Sequence, residues 1–130
     1  SVTTMHGMFR ASSFNQDISD WDVSNVEDMS NMFDGAVNFN QNISDWDVRS
    51  VANMNAMFDD AESFNQDIGG WNVSNVYNME RMFRNASNFD QDISSWCVEK
   101  IENSPDDFDY STSQSWTESE KPNWGAPCSE

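Results

Sequence analysis

Apolar residues recur along this chain in two alternating patterns. In the first, Ile18, Trp21 and Val23 form I-x-x-W-x-V, with Trp21 and Val23 on either side of Asp22. Such alternation predicts a half-buried strand. In the second, Val26, Met29, Met32, Phe33 and Ala36 follow at spacings of three and four. That spacing predicts one apolar face of a short helix. Ser24 stands where its N-cap belongs, and Glu27 completes a capping box that the second and third copies of the pattern lack. A short segment, Asn15 to Asp17, turns the chain back toward the next strand.

The two patterns return together every 25 residues. Full repeats occupy 14–38, 39–63, 64–88 and 89–113. A half repeat at 1–13 precedes them, with Val2, Met5, Met8 and Phe9 aligned to Val26, Met29, Met32 and Phe33. Six columns are identical in the four full repeats, headed by Phe14, Gln16, Ile18, Trp21, Val23 and Phe33. One strand and one short helix cannot bury an apolar edge alone, but stacked copies can. The expected fold is therefore an α/β repeat solenoid. It is a leucine-rich-repeat-like right-handed coil, with one short parallel strand and one short helix per 25-residue repeat. The Gln16 column and its neighbouring Asn are expected in turns, where stacked amides bond from coil to coil.

The repeated string F-N-Q-D-I-S-x-W-D-V-S-N-V-x-x-M-x-x-M-F-x-x-A resembles the BspA-type leucine-rich-repeat surface proteins, whose repeat was long known only as a domain of unknown function. The resemblance runs from residue 1 to about 108. It implies a secreted or surface-anchored protein of a microbe, with adhesion to protein or matrix as the proposed role and no catalytic residues.

The pattern decays in the last repeat, where Ser104 and Asp107 fill the methionine columns around Pro105. Residues 114–130 are expected to cap the stack, with Trp116 and Trp124 as the apolar part of the cover. Cys97 occupies the outward column of Asp22, Asp47 and Asn72, and the second cysteine, Cys128, lies in the tail. The pair reads as a disulfide that staples the tail across the last repeat; two unrelated thiols are the alternative. The W-C-V and K-P-x-W-G-x-x-C ending is also similar to the terminal repeat of secreted members of the resembled family. A disulfide implies an oxidising, extracellular compartment.

Composition narrows the function classes. Nine Phe, six Trp and eight Met exclude a disordered acidic tail. A net charge of −17 excludes direct binding to nucleic acid or to an anionic membrane surface. No run of apolar residues reaches the roughly 20 needed to span a bilayer, so membrane insertion is not expected. The helical spacing of the methionines and the strand spacing of the tryptophans assign both ladders to the core rather than to a metal or a sugar.

The outward positions of the expected strands are the candidate ligand-binding face: Asp20, Asp22, Ser24, Asp45, Asp47, Arg49, Asn72 and Ser74. Asp20, Asp22, Asp45 and Asp47 are close enough in that arrangement to suggest a Ca²⁺ site, although no calcium-binding motif accompanies them. No other cofactor is expected. A regular exposed row does not push paired carboxylates to different pKa values, so an enzyme is not expected. Asn42, Asn72 and Asn85 open N-x-S triplets that would carry glycans in a eukaryote. The expected role is a non-catalytic extracellular or cell-surface recognition and adhesion module for a protein or glycan. The alternatives are a structural spacer that stacks head to tail through its N-terminal edge and a Ca²⁺-dependent binding module.

Overall fold

The computed structural model describes residues 2–128. Its repeats stack one on the next, but not as a strand and a helix. Among the described residues the one helix is a single 3₁₀ turn, Glu118–Glu120. Strand-like pairing among these residues is limited to a column of isolated parallel bridges that joins Thr4, Asp28, Asn53 and Asn78. The expected α/β solenoid with a strand and a helix in every repeat is therefore wrong.

The hydrogen bonds give the reason. In the segment expected to be helical, the Met32, Asp34 and Ala36 N–H groups donate three residues back, to Met29, Asn31 and Phe33 carbonyls. The intervening N–H groups leave the repeat altogether. Met29, Asn31, Phe33 and Gly35 donate to the carbonyls of Asn53, Asn55, Met57 and Asp59, each 24 residues on. Consecutive turns thus replace the i→i−4 ladder. Positive φ at Asn31 (57°) and Gly35 (73°) closes each turn and rules out a continued α-helix. The later repeats place Ala56 and Asp60, then Arg81 and Asn85, in the same left-handed conformation. A spacing of three and four buries one face of such a turn run as well as one face of a helix.

The I-x-x-W-x-V segment is no strand either. Trp21 N–H bonds to Ile18 C=O and Val26 N–H to Val23 C=O, so turns carry the chain between buried residues. Asx side chains form those corners. Asp17 Oδ1 accepts Ser19 N–H at 2.9 Å, Asp22 Oδ1 accepts Ser24 N–H at 3.0 Å and Asp28 Oδ1 accepts Ser30 N–H at 2.9 Å. Each acidic residue stands before an apolar one that turns inward (Ile18, Val23, Met29), which explains the D-I-S, D-V-S and D-M-S triplets.

Stacking then aligns like with like. Phe33, Phe58 and Phe83 rings follow one another at 5.5 and 5.6 Å, and a second column of Phe39, Phe64 and Phe89 runs beside them. Trp46, Trp71 and Trp96 are buried, and each indole N–H donates to the carbonyl of the isoleucine in the preceding repeat. Six of the eight methionines are fully buried, while Met8 is half exposed. The Asn–Gln columns bond from repeat to repeat: Asn15 Oδ1 accepts Asn40 N–H at 2.9 Å and Gln41 Nε2 at 2.9 Å, and the pattern recurs twice.

The last repeat changes register. Arg81, Phe83 and Asn85 donate 25 residues on rather than 24, to Asp106, Phe108 and Tyr110. Positive φ shifts with them, to Asp107 and Ser111. Phe108 therefore occupies the place of a methionine and meets Phe83 edge to face at 5.3 Å instead of extending the stack. Trp116 covers the gap, edge-on to Phe83 and Phe89, and Trp124 packs on Phe108. Lys121 closes the cover: its ammonium pairs with Asp109 at 2.8 Å and Glu118 at 2.9 Å and lies over the Trp116 ring. Burial alone would lower the Lys121 pKa, but the two carboxylates outweigh it and raise it. Gly125, at φ 74°, passes so close to Glu102 that a Cβ would lie 2.9 Å from its carbonyl oxygen.

Cys97 and Cys128 form a disulfide with Cα atoms 5.4 Å apart, 31 residues apart in sequence. It ties the end of the cover to the last full repeat. Replacing both cysteines by serine should lower unfolding free energy by about 3 kcal/mol through loop-closure entropy. Urea unfolding with and without the pair checks this; a loss under about 1 kcal/mol would mean that the tryptophans hold the cover alone.

Candidate functional site

The expected face is a polar surface. Asp20, Asp22, Asp45, Arg49 and Asn72 are exposed, and Ser24, Asp47 and Ser74 are half-buried. Most of these side chains have a local task. Asp22 accepts both the N–H and the hydroxyl of Ser24, and Asn72 does the same for Ser74. Asp47 accepts the Arg49 N–H and pairs with its guanidinium at 3.2 Å. Asp20 and Asp45 make no side-chain hydrogen bond among the described residues and are the free carboxylates of the row.

The serine bonds hold the Asp17, Asp22 and Asp92 carboxyls below the usual range. A carboxyl with a depressed folded pKa stabilises the fold above its unfolded pKa and loses that contribution as pH falls. The chain should therefore lose melting temperature as the pH falls from about 4, the unfolded carboxyl value, downward. A melting temperature that rises over that interval would show the opposing buried carboxyl, Asp59, to dominate.

No side chains of the expected Ca²⁺ set converge. Among the described residues, the groups of three side chains that approach within metal-ligating reach are Asp34, Asp59 and Asp60, and Cys97, Glu99 and Cys128. Asp20, Asp22, Asp45 and Asp47 form no such group. The cysteines of the second group are consumed by the disulfide.

The Asp34–Asp59–Asp60 group was not singled out by sequence reasoning, and it is already partnered. Asp59 is 2% exposed. Arg84 of the next repeat grips it with both arms, Nε to Oδ1 at 3.0 Å and Nη2 to Oδ2 at 2.7 Å. Asn85 Nδ2 donates to Asp60 at 2.8 Å and Asn31 Nδ2 to Asp34 at 2.9 Å. Burial pushes the Asp59 carboxyl above its usual range, and Arg84 offsets part of that push. Asp59 in turn raises the Arg84 pKa. The signal was present in the aligned repeats: the position after Phe33, Phe58 and Phe83 reads Asp, Asp, Arg. Opposite charges one repeat apart in one column face each other.

The three sequon asparagines do structural work too. Asn42 caps Ser44 N–H, Asn72 caps Ser74 N–H, and Asn85 holds Asp60. No helix among the described residues is long and apolar enough to cross a membrane. No curated protein and no solved structure matches the chain. A family model described as "Mycoplasma protein of unknown function, DUF285" matches residues 1–121, and the chain belongs to that family.

Proposed function

We propose that the protein is a non-catalytic recognition module that works outside the cell and binds a protein or glycan through its exposed polar face. The observation that carries this reading is the row of Asp20, Asp22, Asp45, Arg49 and Asn72, presented on a backbone locked by bonds between repeats. Rigid presentation lowers the entropic cost of binding. The row shares one solvated environment, which suits contact with a partner better than acid–base chemistry. The Cys97–Cys128 disulfide supports an oxidising compartment. The resemblance to BspA-type surface proteins supports the same location and an adhesive role.

Asp20→Ala with Asp45→Ala is the direct test, since neither carboxylate supports the backbone. Protein and glycan arrays probed with both chains should give a ligand that the parent binds and the double variant loses by about tenfold or more, with the melting temperature unchanged. Equal binding by both chains would sink the face.

A second reading, a structural spacer, has its own observation. Val2, Met8 and Trp21 are exposed on one end of the stack. Another coil of the same repeat would cover this end. Concentration-dependent sedimentation would favour it.

A further inference from the structure

A cleft of about 570 Å³ lies between the third and fourth repeats, within the size range of binding pockets. It opens where the column of bridges stops. At the preceding junction two backbone bonds close the gap: Met54 N–H donates to Asn78 C=O at 2.9 Å, and Tyr77 N–H donates to Ala52 C=O at 2.9 Å. At the next junction the corresponding groups are the Met79 N–H and the Tyr77 C=O. Neither finds a protein partner among the described residues. The cause lies in the sequence. The fourth repeat carries one extra residue between Ile101 and Asp107, and the loop around Ser104 and Pro105 bows away before pairing resumes at Arg81 and Asp106. Both sides of this broken rung line the cleft.

We propose that the cleft binds an extended segment of a partner protein, seated as an added parallel rung between the third and fourth repeats. Two successive residues of that segment would supply the bonds, the first donating its N–H to Tyr77 C=O and the second accepting the Met79 N–H through its C=O. These are the same two bonds that each earlier repeat supplies to its neighbour. Recognition by strand addition takes affinity from such main-chain bonds and specificity from the walls. The walls select charge: Glu80, Glu102 and Asp106 line the cleft, and the one cation there, Lys100, already donates to Asn75 at 3.3 Å. The segment is therefore basic. Tyr77, 61% exposed at the same place, offers a ring for the aliphatic stem of a lysine or arginine. This site is separate from the Asp20 and Asp45 face, and either can fail without the other.

The test is a titration of the ¹⁵N-labelled chain with the blocked peptide Ac-Val-Lys-Val-Lys-Val-NH₂. The expected result is amide shifts at Asn78 and Met79, with hydrogen exchange at Met79 slowed about tenfold or more. The glutamate counterpart Ac-Val-Glu-Val-Glu-Val-NH₂ should bind about tenfold more weakly or worse. Deleting Ser104 restores the repeat length and should abolish the response. Glu80→Gln with Glu102→Gln, at exposed positions that leave the fold intact, should weaken the lysine peptide alone. No response at Met79 at saturating peptide would overturn the proposal. So would shifts confined to the Asp20–Asp47 row, or a response at Tyr77 to chitotriose with none to either peptide.

Discussion

Phe58→Ala should remove about 4 kcal/mol of unfolding free energy, a large share of the 5–15 kcal/mol that holds a domain of this size. Phe58 is fully buried and contacts Phe33 at 5.5 Å, Phe83 at 5.6 Å and Phe64 at 4.1 Å between ring centroids. Neighbouring rings are held on both sides by backbone bonds between repeats, so the space left behind cannot collapse. Phe14→Ala, at a half-buried position at the open end, should cost much less. Urea unfolding of the two variants against the parent decides the matter. A loss under about 2 kcal/mol at Phe58 would mean that the aromatic column is loosely packed.

Arg84→Ala should destabilise the chain by about 3 kcal/mol, because it strands a carboxylate that is almost wholly buried. Most of that cost belongs to Asp59 left alone rather than to the strength of the pair. Asp59→Leu with Arg84→Met should therefore recover most of the loss. A double-mutant cycle by thermal unfolding separates the two contributions. If the single and double variants lose the same stability, Arg84 acts through packing of its stem and not through its charge.

Much of this architecture was legible in the residues. The 25-residue period placed Ile18, Val23, Met29 and Phe33 and their equivalents in the second and third repeats inside, and they are inside. The type of element was not legible, because spacings of three and four serve a run of turns as well as a helix. The local clue was Asn31 with Gly35, residue types that tolerate positive φ. Ala56 and Arg81 hid it in the later repeats: packing between repeats holds them in a conformation that their own preferences oppose. Phe108 misled for a different reason. Alignment by period put it in the phenylalanine column, while the extra residue near Pro105 moved it into the methionine column. At the candidate face, the D-x-S triplets already spelled out the Asx corners, so the acidic row could have been read as backbone support before it was read as a ligand site. The Asp59–Arg84 pair needed only the comparison of one column across repeats.

The bonds between repeats, each about 24 residues long in sequence, also set how the chain folds. Every loop that must close is the same size, whatever the number of repeats, so growth can proceed by adding one repeat at a time. Cooperativity then travels along the stack as nearest-neighbour coupling. The Cys97–Cys128 crosslink anchors the last repeats, so opening of the stack is least favoured there.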